Sequence, residues 1–262
     1  SFSYFKNEMA TSGSTSPLYT FILAIGFIFT SHEMILSYFL GISFFALGAV
    51  AMYKLSLAEF NKEYFFALSC TGIFIMDKWL DFIAVSGMET TMFILVLLLT
   101  AYFYRTKNAI PFAVMLGLIM WTRPDGIAFI IAIIIDYVMM SIYSRKDEKL
   151  IVFTGAELKK IALIFSGLLG LYFLMNFILS GSILPNTYNA KTTYYTPEYR
   201  DRYSFLNYEV WNYFKAGSYY VLMIGFLFSS LMILFDLYKR KYNQNTLYVI
   251  FIIGLVAIYF IK

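Results

Sequence analysis

AIPFAVMLGLIMWTRPDGIAFIIAIIIDYVMMSIY, residues 109–143, consists of two apolar runs and one sharp polar break, Arg123-Pro124-Asp125-Gly126. Proline fixes its own φ and glycine accepts dihedrals that other residues avoid, so the break suits a tight reversal between two membrane segments. Runs of this kind recur along the whole chain, which is 60% hydrophobic, 14% charged and has a mean hydropathy of +0.70. Soluble domains carry about a quarter charged residues, so the composition is that of an integral membrane protein. Barrel strands would alternate apolar and polar residues in segments of about ten. The continuous runs predict instead an all-α fold, a polytopic transmembrane helical bundle.

Working outward, the apolar segments are Pro17–Thr30, Met34–Tyr53, Tyr64–Met76, Thr90–Tyr104, Ala109–Trp121, Ile127–Tyr143, Ile161–Leu179, Tyr219–Leu237 and Leu247–Ile261. A crossing helix takes about twenty residues, so roughly eight to nine membrane segments are expected. Tyr64–Met76 and Ala109–Trp121 are short for a crossing. They must tilt, extend into their flanks or be re-entrant, which is tolerated only where protein or a wet cavity shields the backbone.

Lysine and arginine set the orientation. Arg105 and Lys107 share one loop, Arg145, Lys146, Lys149, Lys159 and Lys160 the next on that side, and Lys239, Arg240 and Lys241 a third. If these loops are cytoplasmic, then Glu89, Arg123–Gly126 and the stretch from Leu184 to Lys191 are extracytoplasmic. Residues 1–85 have two solutions. With Ser16-Pro17 outside, Tyr64–Met76 and Leu80–Val85 form a short in-and-out pair around Asp77-Lys78, and Lys54 and Lys62 fall outside, against the rule. In the other solution both lysines are cytoplasmic and the first two runs pair differently.

The remaining composition mainly excludes. A formal charge of +4, scattered along the chain, gives no basis for nucleic-acid binding. Cys70 is the only cysteine and His32 the only histidine, which removes a zinc site built on those ligands. Cys70 itself reads as a small buried hydrophobe. The chain opens at Ser1 without methionine or a signal-peptide pattern and closes at Lys262 directly after an apolar run. We therefore expect one transmembrane domain over residues 1–262, cut from a longer protein at both ends. Its long polar insertion, residues 181–218, is expected to be extracytoplasmic. Eleven aromatics lie between Tyr194 and Tyr220, among them Trp211, with Arg202–Lys215 as a candidate interfacial helix. They form either a headgroup-level belt or a platform for sugar or lipid.

Four polar motifs sit at the ends of apolar runs: Gly13-Ser14-Thr15-Ser16-Pro17-Leu18-Tyr19, Ser86-Gly87-Met88-Glu89-Thr90, Thr122-Arg123-Pro124-Asp125-Gly126 and Leu184-Pro185-Asn186-Thr187-Tyr188-Asn189-Ala190-Lys191. In this order they resemble the polyprenyl-phosphate-sugar-dependent glycosyltransferases of the GT-C superfamily. The decaprenyl-phosphate arabinofuranosyltransferases belong to that group. The resemblance spans Gly13 to Lys191; beyond Ser218 there are only apolar helices.

The resemblance implies a multi-pass plasma-membrane enzyme with its active face extracytoplasmic, surrounded by membrane lipids. Its donor would be a polyprenyl-phosphate-linked sugar and its acceptor a glycan, a lipid or a protein. In the group a carboxylate of the first extracytoplasmic loop is the base. That loop precedes the stretch matching Gly13–Leu18, so the base is expected upstream of Ser1, and Glu89 is the candidate catalytic group within the chain, to orient the acceptor hydroxyl or pair with Arg123. Arg123 and Lys191 would hold the donor phosphate, because cations near the leaving oxygen stabilise the charge that develops there. Arg123 offers a planar fork and Lys191 a point charge. Asp125, Asn186 and Thr187 would position substrate. Some members bind a divalent cation, but no ligand cluster here assigns one.

Each residue also has a plainer reading. In it Arg123 simply reaches the interface and pairs with Asp125, Glu89 sits on a helix dipole, and Pro185-Asn186-Thr187 opens a turn. Asp136, inside Ile127–Tyr143, is a functional candidate by position but belongs to none of the motifs and fits pairing with a neighbouring helix or simple access to water. Asp77 and Asp81, around Lys78, form a charge cluster at a helix end. A secondary transporter with broken helices and a non-catalytic scaffold on the same frame are the rival functions.

Overall fold

The computed structural model describes residues 15–144, 153–183, 185 and 219–261. Every regular element among them is helical. Three of these helices are long and apolar enough to cross a membrane, Glu33–Glu59, Pro124–Tyr143 and Gly155–Leu179. Most of the 181–218 insertion lies outside the described residues.

Local chemistry sets the boundaries. Pro17 opens α1 (Pro17–Gly26) in the first turn, where its missing N–H is not needed. The next helix, α2 (Glu33–Glu59), runs through Lys54 and stops before Asn61 and Lys62, both at positive φ. Between α3 (Tyr64–Ile75) and α4 (Lys78–Ala84) stands Asp77 in an extended conformation. Its carboxylate accepts the N–H groups of Trp79 at 2.9 Å and Leu80 at 3.0 Å, so it caps α4 and starts a new helix. After α5 (Thr90–Arg105) the chain reverses at Lys107, φ 57°, into α6 (Ala109–Thr122). Pro124 disfavours a helical residue before it, and Arg123 is extended at φ −158°, ψ 136°. One 3-10 turn, Pro124–Gly126, precedes α7 (Ile127–Ser144). A reciprocal capping box between Thr154 and Glu157 opens α8 (Gly155–Ser180), and Gly181 closes it at φ 68°. The last described helices are α9 (Tyr220–Tyr238) and α10 (Thr246–Ile261).

The chain divides into two compact units. The first holds α1–α6 and α8. In it α2 packs on α5, α5 on α6, α6 on α8, and α3 on α2. Helices approach closely where glycine removes the obstacle. A Cβ on Gly41 would overlap the Ala84 carbonyl, and one on Gly117 would meet Leu168 of α8. Thr100, Thr122 and Asn176 are fully buried, while Ile28 and Phe29 are 77% and 84% exposed. Small and polar side chains facing neighbouring helices, with large apolar ones outward, is the arrangement a lipid solvent favours.

The two ends of this unit differ. At one, Arg105 Nε donates to Glu59 Oε1 at 2.7 Å, and Lys107 sits over the Tyr104 and Phe153 rings, which cluster with Phe112. At the other end lie Gly87 and Arg123. Thus α2 and α5 run parallel, and α3 with α4 makes the return between them. Glu59, which lies between Lys54 and Lys62, pairs with Arg105, so both lysines belong to the Arg105 end. The lysines are thus grouped with Arg105, as in the second of the two sequence solutions, while Ser16-Pro17 lies at the Gly87 end, the placement from which the first starts.

The second unit packs α7 on α10 and α10 on α9. Asp136 of α7 is fully buried, and the Tyr242 hydroxyl donates to its carboxylate oxygens at 3.0 and 2.9 Å. The neighbouring Asn243 donates to Asp236 of α9 at 2.5 Å. Two carboxylates therefore hold the α9–α10 link. Asp136 takes the pairing role open to it in the sequence.

Candidate functional site

Three of the four polar motifs meet at one end of the first unit. Ser16 and Pro17 are buried at the start of α1, and the Tyr19 hydroxyl donates to the Gly87 carbonyl at 3.0 Å. This bond joins residues 68 positions apart and ties the first motif to the second. Gly87 has φ +72°, a left-handed conformation that glycine adopts without penalty. A Cβ there would also lie 2.9 Å from Ser37 Oγ. The turn at Gly87 delivers Glu89 to the N-cap position of α5.

Arg123, at the C-terminal cap of α6, lies across from it. Its Nη1 donates to Glu89 Oε1 and to Thr90 Oγ1, both at 3.4 Å, and its Nη2 donates to Asp125 Oδ2 at 3.0 Å. The guanidinium lies 5.8 Å from the centre of the Phe93 ring, one turn into α5, within cation–π range. The Asp125 carboxylate is nearly buried, whereas Arg123 and Glu89 each keep about a fifth of their side-chain surface open. Gly126 closes the turn against Ile119 and Phe93, where a Cβ would collide with Ile119.

Two of the alternatives read from the sequence therefore coexist. Arg123 pairs with Asp125, as the plain reading has it, and it also pairs with Glu89. One guanidinium and two carboxylates give the cluster a formal charge of −1. A phosphate would approach Arg123 only if Glu89 or Asp125 turned away and released an edge of the fork. Glu89 is the more exposed of the two and makes the longer contact, so it is the one placed to move.

Asn186, Thr187 and Lys191 lie outside the described residues; of the fourth motif only Pro185 is described, and it is buried. Among the described residues no three His, Cys, Asp or Glu side chains gather as a metal-ligand set. Tyr19, Thr90 and Phe93 carry no role in the sequence reading. Tyr19 and Thr90 stood inside the quoted motifs, and Phe93 follows Glu89 by one helical turn, so spacing alone marks it as facing the same way. Comparison with protein-family models, curated proteins and solved structures gave no match.

Proposed function

We propose that the chain is a GT-C-type membrane glycosyltransferase. It would carry roughly eight to nine membrane segments, counting the shorter apolar helices as crossings or part-crossings. It would move a sugar from a polyprenyl-phosphate donor to a glycan, lipid or protein acceptor at the extracytoplasmic face of the plasma membrane. In that reaction the bond from the anomeric carbon to the phosphate oxygen breaks, the acceptor oxygen bonds to that carbon, and a base takes the acceptor's proton. Arg123 stabilises the departing phosphate. Glu89 orients the acceptor hydroxyl or holds Arg123 until the donor arrives.

The observation that carries this reading is the meeting of Tyr19, Gly87, Glu89, Arg123 and Asp125, from three separate motifs, at the ends of helices. A charge cluster at helix ends suits chemistry on a lipid headgroup. The test is transfer from a synthetic polyprenyl-phosphate sugar by the full-length protein. Arg123→Ala is expected to lose about 10²–10³-fold in rate, the size of effect that removing one charge-stabilising donor produces. Arg123→Lys should recover only part, because the fork is lost. Transfer at the wild-type rate by a folded Arg123→Ala protein would remove the proposed role.

One observation favours the transporter reading. The return path of α3 and α4 is broken at Asp77, as in the discontinuous helices of transporters. Against it, the Asp77 carboxylate is occupied in capping α4. Substrate uptake into sealed vesicles that depends on Asp77, without sugar transfer, would establish that alternative.

A further inference from the structure

We propose that α1 does not cross the membrane: it lies in the leaflet on the Arg123 side as a lipid-embedded wedge, and the crossing that follows it is α2.

The contacts along α1 carry this. Tyr19 bonds the Gly87 carbonyl, in the turn before α5. Phe21 lies 6.4 Å from Trp121, two residues before Arg123. Gly26, at the other end of α1, meets α2 at its fourth residue, where an added Cβ would lie 2.6 Å from a methyl of Leu36. Gly87 itself abuts Ser37, the next residue of α2. The beginning, middle and end of α1 are therefore all anchored at the same end of the unit. A helix running down beside α2 from a contact at Leu36 would bring Tyr19 level with Ser43, about 9 Å further along the axis. Its hydroxyl bonds instead at the level of Ser37.

Length agrees. Ten residues of helix span about 15 Å, half of the roughly 30 Å hydrocarbon layer. The chain then folds back at once: Phe27 N–H donates to Leu23, and Phe29 and Thr30 N–H donate to Gly26, before α2 starts at Glu33.

The partner is the acyl-chain region of the bilayer. Ile25, Ile28, Phe29, Met34 and Ile35 are all more than half exposed. Their surface continues onto the exposed face of α2, a helix long enough to cross. No Lys, Arg, Asp or Glu occurs from Thr15 to His32, so no charge draws α1 into water, and the polar Ser31 and His32 come only after it. An apolar helix without charge partitions into the acyl chains, and the contacts of α1 at the Gly87 end keep it in the upper part of that leaflet. Because α1 is pinned to Gly87, this places a lipid-facing flank directly beside the Glu89–Arg123 cluster. The inference concerns topology and stands whether or not the chain transfers a sugar.

The test is the sidedness of single cysteines in the full-length protein, with Cys70 replaced by Ala, in sealed membrane vesicles treated with a membrane-impermeant maleimide. Ser31→Cys and Met88→Cys should label from one side, and Glu63→Cys and Asn108→Cys from the other. Labelling of Ser31→Cys together with Asn108→Cys would make α1 a crossing and overturn the proposal. An independent reading uses a tryptophan at position 29, Phe29→Trp, with Trp79, Trp121 and Trp211 replaced by Phe, in vesicles of brominated phosphatidylcholine. Bromines high on the acyl chain should quench it more than bromines near the chain end. Stronger quenching by the deep bromines, or none by either, would also overturn the wedge.

Discussion

Arg123 shows how a residue can be found in a sequence without its full role being visible. Its place between two apolar runs marks it as an interfacial cation, and Asp125 is near enough in sequence to be named as a partner. Glu89 was named as a second candidate, but the distance between them, and Thr90 and Phe93 beside them, depend on how α5 and α6 pack. Asp136 carries the same lesson in the second unit. A carboxylate among isoleucines is conspicuous, yet its donor, Tyr242, lies 106 residues away, beyond the reach of any periodicity. The physics of that bond gives a prediction. Tyr242→Phe removes a donor from a buried carboxylate and should cost about 1–3 kcal/mol, the penalty for an under-satisfied buried group. Adding Asp136→Asn should recover part of the loss, because a buried amide is less costly than a buried charge. Thermal unfolding in detergent of the two single variants and the double variant measures this. Strictly additive losses would show that the bond seen here contributes nothing.

At the level of helices, the sequence reading located almost every described element, and its errors have one cause. Apolar runs end where charge begins, but helices end where their backbone groups are capped. The segment predicted as Met34–Tyr53 continues through Lys54 to Glu59, and the one predicted from Ile161 starts at Gly155, with Lys159 and Lys160 inside its first turns. The capping box at Thr154 and Glu157 fixes that start. Conversely, Asp77 was read as a charge at a helix end, and as an N-cap it divides α3 from α4. Packing between helices was not legible, because glycine in an apolar run looks the same whether it faces lipid or a neighbour. Gly117 faces a neighbour: its added Cβ would lie 2.6 Å from Leu168 Cδ1 and 2.8 Å from Leu168 Cβ. Gly117→Ala should therefore cost about 1–3 kcal/mol, the usual range for overpacking. Combining it with Leu168→Ala should cost less than the sum of the two single changes, since the substitution removes Cδ1, the nearer of the two atoms, and leaves only Cβ in the way. Equal losses with and without Leu168→Ala would mean that α6 and α8 do not meet at this point.

For the whole molecule, the question that sequence and fold answer together is which face of the membrane carries the Arg123 cluster. Basic residues are retained on the cytoplasmic side. The first unit concentrates them strongly. Of the Lys and Arg among its described residues, Lys54, Lys62, Arg105, Lys107, Lys159 and Lys160 belong to the Arg105 end, and Lys78 lies between the ends, at the start of α4. The opposite end carries Arg123, which two carboxylates offset. The asymmetry is sharper than the sequence suggested, because the pairing of Glu59 with Arg105 moves Lys54 and Lys62 from a doubtful side to the basic one. The expected orientation therefore has the Arg105 end in the cytoplasm and Glu89, Arg123 and the α1 wedge outside. In intact cells producing the full-length protein, a membrane-impermeant maleimide should label Met88→Cys but leave Asn108→Cys unlabelled until the membrane is opened. Labelling of Asn108→Cys alone would invert the molecule. It would also end the extracytoplasmic glycosyltransferase reading, since a lipid-linked donor presented at the outer face could not reach a cluster on the inner one. That result would leave the packing of the unit, and the parity that makes α1 a wedge, unchanged, because both rest on contacts within the chain and neither depends on which way it faces.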